Sequence, residues 1–289
     1  MSEKSVEFPK DSMDMLHKAF DLSDEEYADM DETEFRARVR ERGHHTLEIQ
    51  TYAAIHKHKP LREKQPETLR RLVGIWKKRG IPTNTPDFQT SENLLDLAEQ
   101  AAKSDNVDLS RYAPRPISAA ELEAFGAIVR ERRSVRHWTD EEVPGDLVDK
   151  IITAATWAAH SCNLQSIRFI VIREKTTPNL FLGADIPGGP VHILFLQDMR
   201  VYRANPLNPE RNRLLDVGAA AQNAVLMAHA LGLGGVWLTF TDVVKKRLDD
   251  FLELPEHIVP VTYIDIGWPA QTPFPLGRMG LDEVVLKRV

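Results

Sequence analysis

The feature that most restricts the fold is where the strand-forming runs lie. "IRFIVIRE" (167–174), "VHILFLQD" (191–198), "GGVWLTF" (234–240) and "VPVTYIDIGWP" (259–269) are short and rich in β-branched and aromatic residues, and all fall between residues 167 and 269. Backbone groups in such runs need ladder partners, so the four runs must be gathered into one sheet. A Pro/Gly-rich turn separates the first two runs, and the small-residue helix "LLDVGAAAQNAVLMAHALGLG" separates the second from the third. A regular parallel sheet needs a crossover at every step. Helices and strands that alternate this loosely predict instead an α+β fold with a mixed sheet flanked by helices.

The chain before Pro116 has no such run and reads as helix and loop. "LSDEEYADMDETEFRARVRERG" opens on a capping box, Ser23 with Glu26, and Gly43 supplies a stop. "TLEIQTYAAIHKH" is ended by Pro60. "PETLRRLVGIWKKRG" opens on Pro66 and closes on Gly80, with Leu69, Leu72, Val73 and Trp76 at helical spacing. After the loop "IPTNTPDFQT" comes "SENLLDLAEQAAK", with Ser91 as its cap. Residues 1–115 are thus an all-helical N-terminal extension, with apolar stripes for helix–helix packing and no assigned chemistry. Residues 116–289 form the second unit, entered through the capped helices "SAAELEAFGAIVRERRS" and "PGDLVDKIITAATWAAHS".

Composition excludes several classes. The chain of 289 residues is 42% hydrophobic and 28% charged, enough for one large core or two smaller ones. A formal net charge of -6 gives no reason to expect nucleic acid as a partner. With Cys162 as the single cysteine, neither an intrachain disulfide nor a thiolate zinc site can be built. His44, His45, His56 and His58 lack the i,i+4 spacing of helical metal ligands, so no metal is expected. "MSEKSVEFPKDSMD" has no apolar signal core, and no apolar run approaches the roughly 18 residues of a membrane span. A reducing, cytoplasmic compartment without membrane attachment is the expectation.

Chemistry concentrates where the first helix of the second unit ends, at "ERRSVRHW" (131–138). Arg132, Arg133 and Arg136 surround Ser134. Cations at a helix C-terminus complement its exposed carbonyls; forked guanidiniums with a hydroxyl also suit a phosphate. Both readings stand on these residues alone. Asn163 and Gln165, in a loop before the first strand run, each carry a donor and an acceptor.

Four segments in order resemble one family: "RRSVR" (132–136), "AATWAAHSCNLQSIRFIVI" (154–172), "LDVGAAAQNAVLMAHALGLGGVWL" (215–238) and "IDIGWPAQTPFPLGRMGLDEVV" (264–285). Together they look like the nitroreductase-like FMN-dependent oxidoreductases, which include reductive deiodinases and flavin-dependent oxidases of peptide azolines. The resemblance spans about residues 118–289. It implies that Arg132 and Ser134 contact the ribityl phosphate or ring edge of FMN, that Arg133 and Arg136 add charge and hydrogen bonds, and that Arg278 is the late phosphate-binding arginine. It puts Asn163 and Gln165, with Ser161 and Cys162, at the isoalloxazine edge, and Leu238 and Thr239 at the flavin N5. The Thr239 hydroxyl is either an N5 donor, and so the one catalytic candidate, or a plain strand residue. Trp237 reads as core.

This sequence departs from the family at His160, Ser161 and Cys162, and at Ser166-Ile167, where Pro-Trp is usual. His160 is a titrating group near the flavin or a structural histidine; Cys162 is a redox-sensitive thiol or a small buried hydrophobe. The loop "MRVYRANPLNPERNR" holds Arg200, Arg203, Arg211 and Arg213, for a substrate anion or for solvent. The resemblance implies hydride transfer from NADPH or NADH through FMN to a small acceptor (nitroaromatic, quinone or halophenol) by ping-pong exchange, in a homodimer with flavin at the interface. An oxygen-using flavin oxidase of a specific substrate and a flavin-binding protein without turnover are the alternatives.

Overall fold

The computed structural model describes residues 21–57, 59–61, 64–104 and 106–289. The reading of residues 1–14 and of His58 lies outside them.

The N-terminal half is helical. Helix α1 (Asp24–Asp29) begins at the expected capping box: Glu26 N–H donates to Ser23 Oγ at 3.1 Å and Ser23 N–H to the Glu26 carboxylate at 2.7 Å. Helix α2 (Glu32–Glu41) does not stop at Gly43. It runs on through a wide-turn π-helical segment, Arg42–Glu48, into α3 (Ile49–Lys57). A Cβ on Gly43 would lie 3.6 Å from Leu94 and 3.9 Å from Leu69, so the glycine serves close packing between helices. Helix α4 (Lys64–Lys78) follows, then α5 (Pro86–Lys103). The latter starts five residues before Ser91: Thr85 precedes Pro86 at its first turn, and Ser91 lies buried inside the helix with its hydroxyl on the Asp87 carbonyl. Phe35, Leu47, Leu69, Leu72, Trp76, Phe88 and Leu95 make the core of this half.

The second half opens with α6 (Ala119–Glu131) and α7 (Gly145–Thr156), the former on the expected Ser118–Glu121 capping box. Strands β1 (Ile167–Arg173), β2 (Val191–Asp198), β3 (Gly234–Leu238) and β4 (Ile258–Gly267) form a sheet of order β1-β2-β4-β3. All three ladders are antiparallel; parallel pairing is confined to an isolated bridge between Ser134 and Gly235. A register shift between Phe195 and Leu196 falls where Pro260, lacking an N–H, meets β2. Every residue of β2 is buried, because both faces are covered. Ile193 and Phe195 pack with α7 and with α8 (Glu210–Ala230), whose Ala220, Ala221, Ala224 and Ala228 allow close approach. Leu194 and Leu196 pack with Val244 and Leu248 of α9 (Asp242–Leu252). A short α10 (Leu281–Val284) ends the structure, and among the described residues no helix is long and apolar enough to cross a membrane.

The halves are joined along α2. Ala37 packs against Leu164, Val201, Tyr202 and Ala204. Around it, Arg40 donates to the Leu164 carbonyl (2.9 Å), Arg200 to Asp31 (3.0 Å), Arg203 to Glu34 (3.1 Å) and Asn205 to Glu41 (3.3 Å).

Candidate functional site

The basic turn is built by stitching residues 134–139 between β3 and the segment after β4. Val135 N–H donates to the Gly235 carbonyl, Arg136 N–H to Gln271 Oε1 (2.8 Å), Thr139 N–H to the Trp268 carbonyl, and Trp138 Nε1 to the Gly234 carbonyl (2.9 Å). Gly234 is required for this approach: a Cβ there would lie 2.7 Å from the Val135 side chain. The three arginines then separate. Arg133 folds back on the end of α6, donating to the carbonyls of Arg130 (2.6 Å) and Arg132 (2.9 Å), so the helix-end reading describes this one. The guanidiniums of Arg132 and Arg136 have no carboxylate partner among the described residues, and Arg278 bonds only the adjacent Gly277 carbonyl. Burial, with Arg133 and Arg278 nearby, lowers the Arg132 pKa below the ordinary arginine value. Arg132 and Arg278 thus stand near each other without a counter-ion, an arrangement that suits an anion. Beside it lies a cavity of about 470 Å³ lined by Arg133, Val135, Gly234, Pro269 and Gln271.

The far end of β3 carries Leu238, half-buried, and Thr239, exposed. Both line a cavity of about 430 Å³ with Asp185, Leu214, Gly218, Trp237 and Thr262. Trp237 is not core: it is 42% exposed, lies over Gly218 of α8, and donates Nε1–H to Thr262 Oγ1 at 2.7 Å.

The third element is the loop before β1. Ser161 donates both its N–H and its hydroxyl to Asp216 Oδ1 of α8, at 2.9 and 3.0 Å, and the other oxygen, Asp216 Oδ2, is buried without a partner. Cys162, Asn163 and Gln165 then adopt left-handed backbone angles (φ 51, 50 and 54°), a strained run for non-glycine residues that the surroundings must enforce. Gln165 Nε2 donates to Asn163 Oδ1 at 3.0 Å. The Cys162 thiol sits 3.3 Å from both His45 Nδ1 and Asn205 Nδ2; burial and the Glu41 charge raise its pKa, which keeps it a thiol. Burial lowers the His160 pKa and keeps that ring neutral.

The basic turn and the Leu238–Thr239 cavity therefore share one strand, whereas the Ser161–Gln165 loop lines neither cavity. Asn163 and Gln165 instead face a pocket of about 360 Å³ walled by Arg36, Arg40, His44, Asp87 and Thr90 of the N-terminal half. The extension to which the sequence assigned no chemistry thus borders the loop. The basic loop after β2 is likewise anchored, since Arg200 is bound in bidentate fashion by Asp198 and Arg213 stacks on Tyr202.

The family described as the nitroreductase family matches residues 129–181 and 177–268. A Methanothermobacter thermautotrophicus protein, its name giving NADH dehydrogenase/NAD(P)H nitroreductase, is 33% identical over 153 residues, covering 50% of this chain and 77% of the relative. The chain belongs to the nitroreductase family. Another member, the oxygen-insensitive NADPH nitroreductase of Salmonella typhimurium, is 28% identical over 53% of this chain and 69% of its own length. A nitroreductase of Desulfovibrio desulfuricans crystallised with FMN aligns with a TM-score of 0.50 at 30% identity, covering 57% of this chain and 96% of that one. Nitroreductase-family sequence accounts for the sheet and its helices; the matched residues begin at 129, after the N-terminal helices.

Proposed function

We propose that this nitroreductase-family chain is an FMN-dependent NAD(P)H oxidoreductase reducing a small aromatic acceptor (nitroaromatic, quinone or halophenol) by ping-pong exchange. The observation that carries the reading is the pair of neighbouring guanidiniums at the basic turn, Arg132 and Arg278, without a carboxylate partner among the described residues, on a turn that Ser134 bridges to Gly235 of β3; Arg136 is exposed on the same turn. That donor set fits a flavin phosphate: fixed positive charge, the Ser134 hydroxyl and a glycine-edged strand that lets backbone approach. Leu238 and Thr239, which line one cavity, would border the ring, and the exposed Thr239 hydroxyl would be the catalytic candidate at N5. When bound, FMN supplies the hydride and electron chemistry; the chain's groups bind and orient it, and the arginines favour negative charge on the pyrimidine side.

Asn163 and Gln165, with Ser161 and Cys162, complete the site from a second copy of the chain, so the working form is a homodimer. Support comes from the separation of this loop from the basic turn within one chain. It also comes from the apolar side chains left exposed on α6 and α8 (Leu122, Phe125, Val129, Leu214 and Leu215) and at Trp157, which is 83% exposed. We divide the chain near residue 115 into helical and flavin-binding units, on their separate cores. We assign it to the cytoplasm, on a sequence whose single cysteine, Cys162, has no second cysteine to pair with.

The test is the visible absorbance of the purified protein, then anaerobic titration with NADPH and NADH. A flavin band bleached by either nucleotide, with turnover of nitro, quinone or halophenol acceptors, is the expected result. A band that neither bleaches would turn the reading to an oxidase or a binder without turnover, and no band after added FMN would overturn it.

A further inference from the structure

The loop between α7 and β1 is held in a backbone conformation that its own residues disfavour. Cys162, Asn163 and Gln165 have φ of 51, 50 and 54°, in the left-handed region, and none of the three is glycine. Within the loop, the N–H groups of Asn163 and Leu164 donate to the carbonyls of His160 and Ser161 at 3.2 and 3.1 Å. The second half of the chain fastens the two ends, through Ser161 on Asp216 and through Arg168, which donates to the Gln165 carbonyl at 3.0 Å. The middle is fastened by the N-terminal helices.

Leu164 is buried against Ala37 of α2, and its carbonyl accepts from Arg40 Nη2 at 2.9 Å. Arg40 is itself fixed. Its side chain is 9% exposed, and Nη1 donates to Asp87 Oδ2 at 3.1 Å. The Asp87 carboxylate is gripped in turn by Nε and Nη2 of Arg36, at 2.9 and 3.0 Å. Burial lowers the Arg40 pKa to about 10, with Asp87 opposing, so the guanidinium stays charged at neutral pH. A charged donor makes a stronger bond to a carbonyl than the neutral amides within the loop do. A strut therefore runs from α5 through α2 to the peptide at the centre of the strained run. His45 adds a contact from the same side, its Nδ1 3.3 Å from Cys162 Sγ. Both residues precede position 129, where the match to the family begins.

We infer that Arg40 is a positioning residue of the enzyme: through the Leu164 carbonyl it holds the loop in the conformation that presents Asn163 and Gln165 to the flavin. This rests on the reading that the loop completes the flavin site of a second copy. It gives the N-terminal helices a part in cofactor binding without any contact to the cofactor.

The experiment combines amide hydrogen exchange of the full chain, read over residues 160–166, with FMN dissociation constants from flavin fluorescence. Wild type, Arg40→Met, Arg40→Lys, Asn163→Ala and the Arg40→Met, Asn163→Ala double variant are compared, each with its thermal melt. Arg40→Met is expected to speed exchange of the loop at least ~10-fold, with β2 unchanged, and to weaken FMN binding ~10-fold. Arg40→Lys keeps a cation beside Asp87 but not the fork that serves two acceptors, and should lie between. Because the loop is then already displaced, Asn163→Ala should cost less FMN affinity in the Arg40→Met background than in wild type; an Arg40 that only stabilises the fold would leave the two effects additive. Unchanged loop exchange in a cooperatively melting Arg40→Met overturns the inference, as does additivity. So does FMN binding that Asn163→Ala weakens and Arg40→Met leaves intact. FMN binding at wild-type strength in both variants takes the loop out of the flavin site, which overturns the underlying reading and the role of Arg40 with it. Should Arg40→Met fail to fold, Arg40→Lys decides, and loop exchange equal to wild type refutes the inference.

Discussion

Gly234→Ala tests how the basic turn is attached to the sheet. The glycine is buried, and its φ is outside the left-handed region, so alanine is conformationally acceptable there. The new methyl would, however, stand 2.7 Å from both Cβ and Cγ1 of Val135 and 2.8 Å from Cγ2. Reaching the 3.4 Å at which contact becomes ordinary means opening that space by about 0.7 Å. Val135 is β-branched and tied by its N–H to the Gly235 carbonyl, so it cannot swing aside; the whole segment must move. Overpacking of this size costs about 1–3 kcal/mol, offset by roughly 0.5 kcal/mol from the stiffer unfolded chain. A fall of about 2–8 °C in melting temperature follows for a protein of this size. Val135→Ala in the same chain removes the Cγ1 and Cγ2 contacts but keeps the Cβ contact at 2.7 Å, so the double variant should recover part of the cost and be more stable than the sum of the single effects by about 0.5 kcal/mol. Urea unfolding of the four proteins gives the cycle, and flavin retention of each tracks the turn. Strict additivity, or a melting temperature within a degree of wild type, would show that the turn does not bear on Gly234.

Arg132→Met should weaken FMN binding about 10-fold or more, by removal of a charge-assisted contact, and should reduce the salt dependence of the dissociation constant measured by flavin fluorescence. Burial raises the Glu41 pKa to about 7, with its Oε2 buried and unbonded. Because the folded pKa lies above the unfolded value, stability should fall as pH rises from about 4.5 to 7, by about 3 kcal/mol. Glu41→Gln should flatten that slope in urea melts at pH 5 and pH 8. The Cys162 thiol, raised in pKa by burial and by Glu41, should react with iodoacetamide at pH 8 more slowly than a free cysteine peptide, and faster in urea.

The strands, and the places of the basic turn and the glycine turn beside β3, were legible because each is local: such patterns keep their meaning within a few residues. Helix α9 was not read, although Thr241 caps it and Val244 and Leu248 stand four apart; its charged stretch hid a two-residue apolar stripe. Gly43 and Ser91 were misread for one reason. Glycine and serine are boundary signals from propensity, yet Gly43 here packs between helices and Ser91 is buried with its hydroxyl on the Asp87 carbonyl of its own helix, which only the folded chain reveals. The share of the N-terminal helices in the loop's pocket was beyond local pattern as well, since it depends on Arg40 meeting Leu164. Trp237 was assigned to the core by its chemistry, and the break in cover over β3 could not be foreseen from one strand.

The seam along α2 also sets a timetable. Its contacts join residues 124 to 169 positions apart. At synthesis rates of about 5–20 residues per second, Glu34 waits roughly 8–34 s for Arg203 to be made. Through that interval the helical half must persist on the core around Phe35 and Trp76, with Ala37 and Glu41 uncovered. Ribosome-stalled chains long enough to bring Lys103 out of the exit tunnel should therefore already resist protease, while the seam itself closes only after the β2 strand and the turn behind it have left the ribosome.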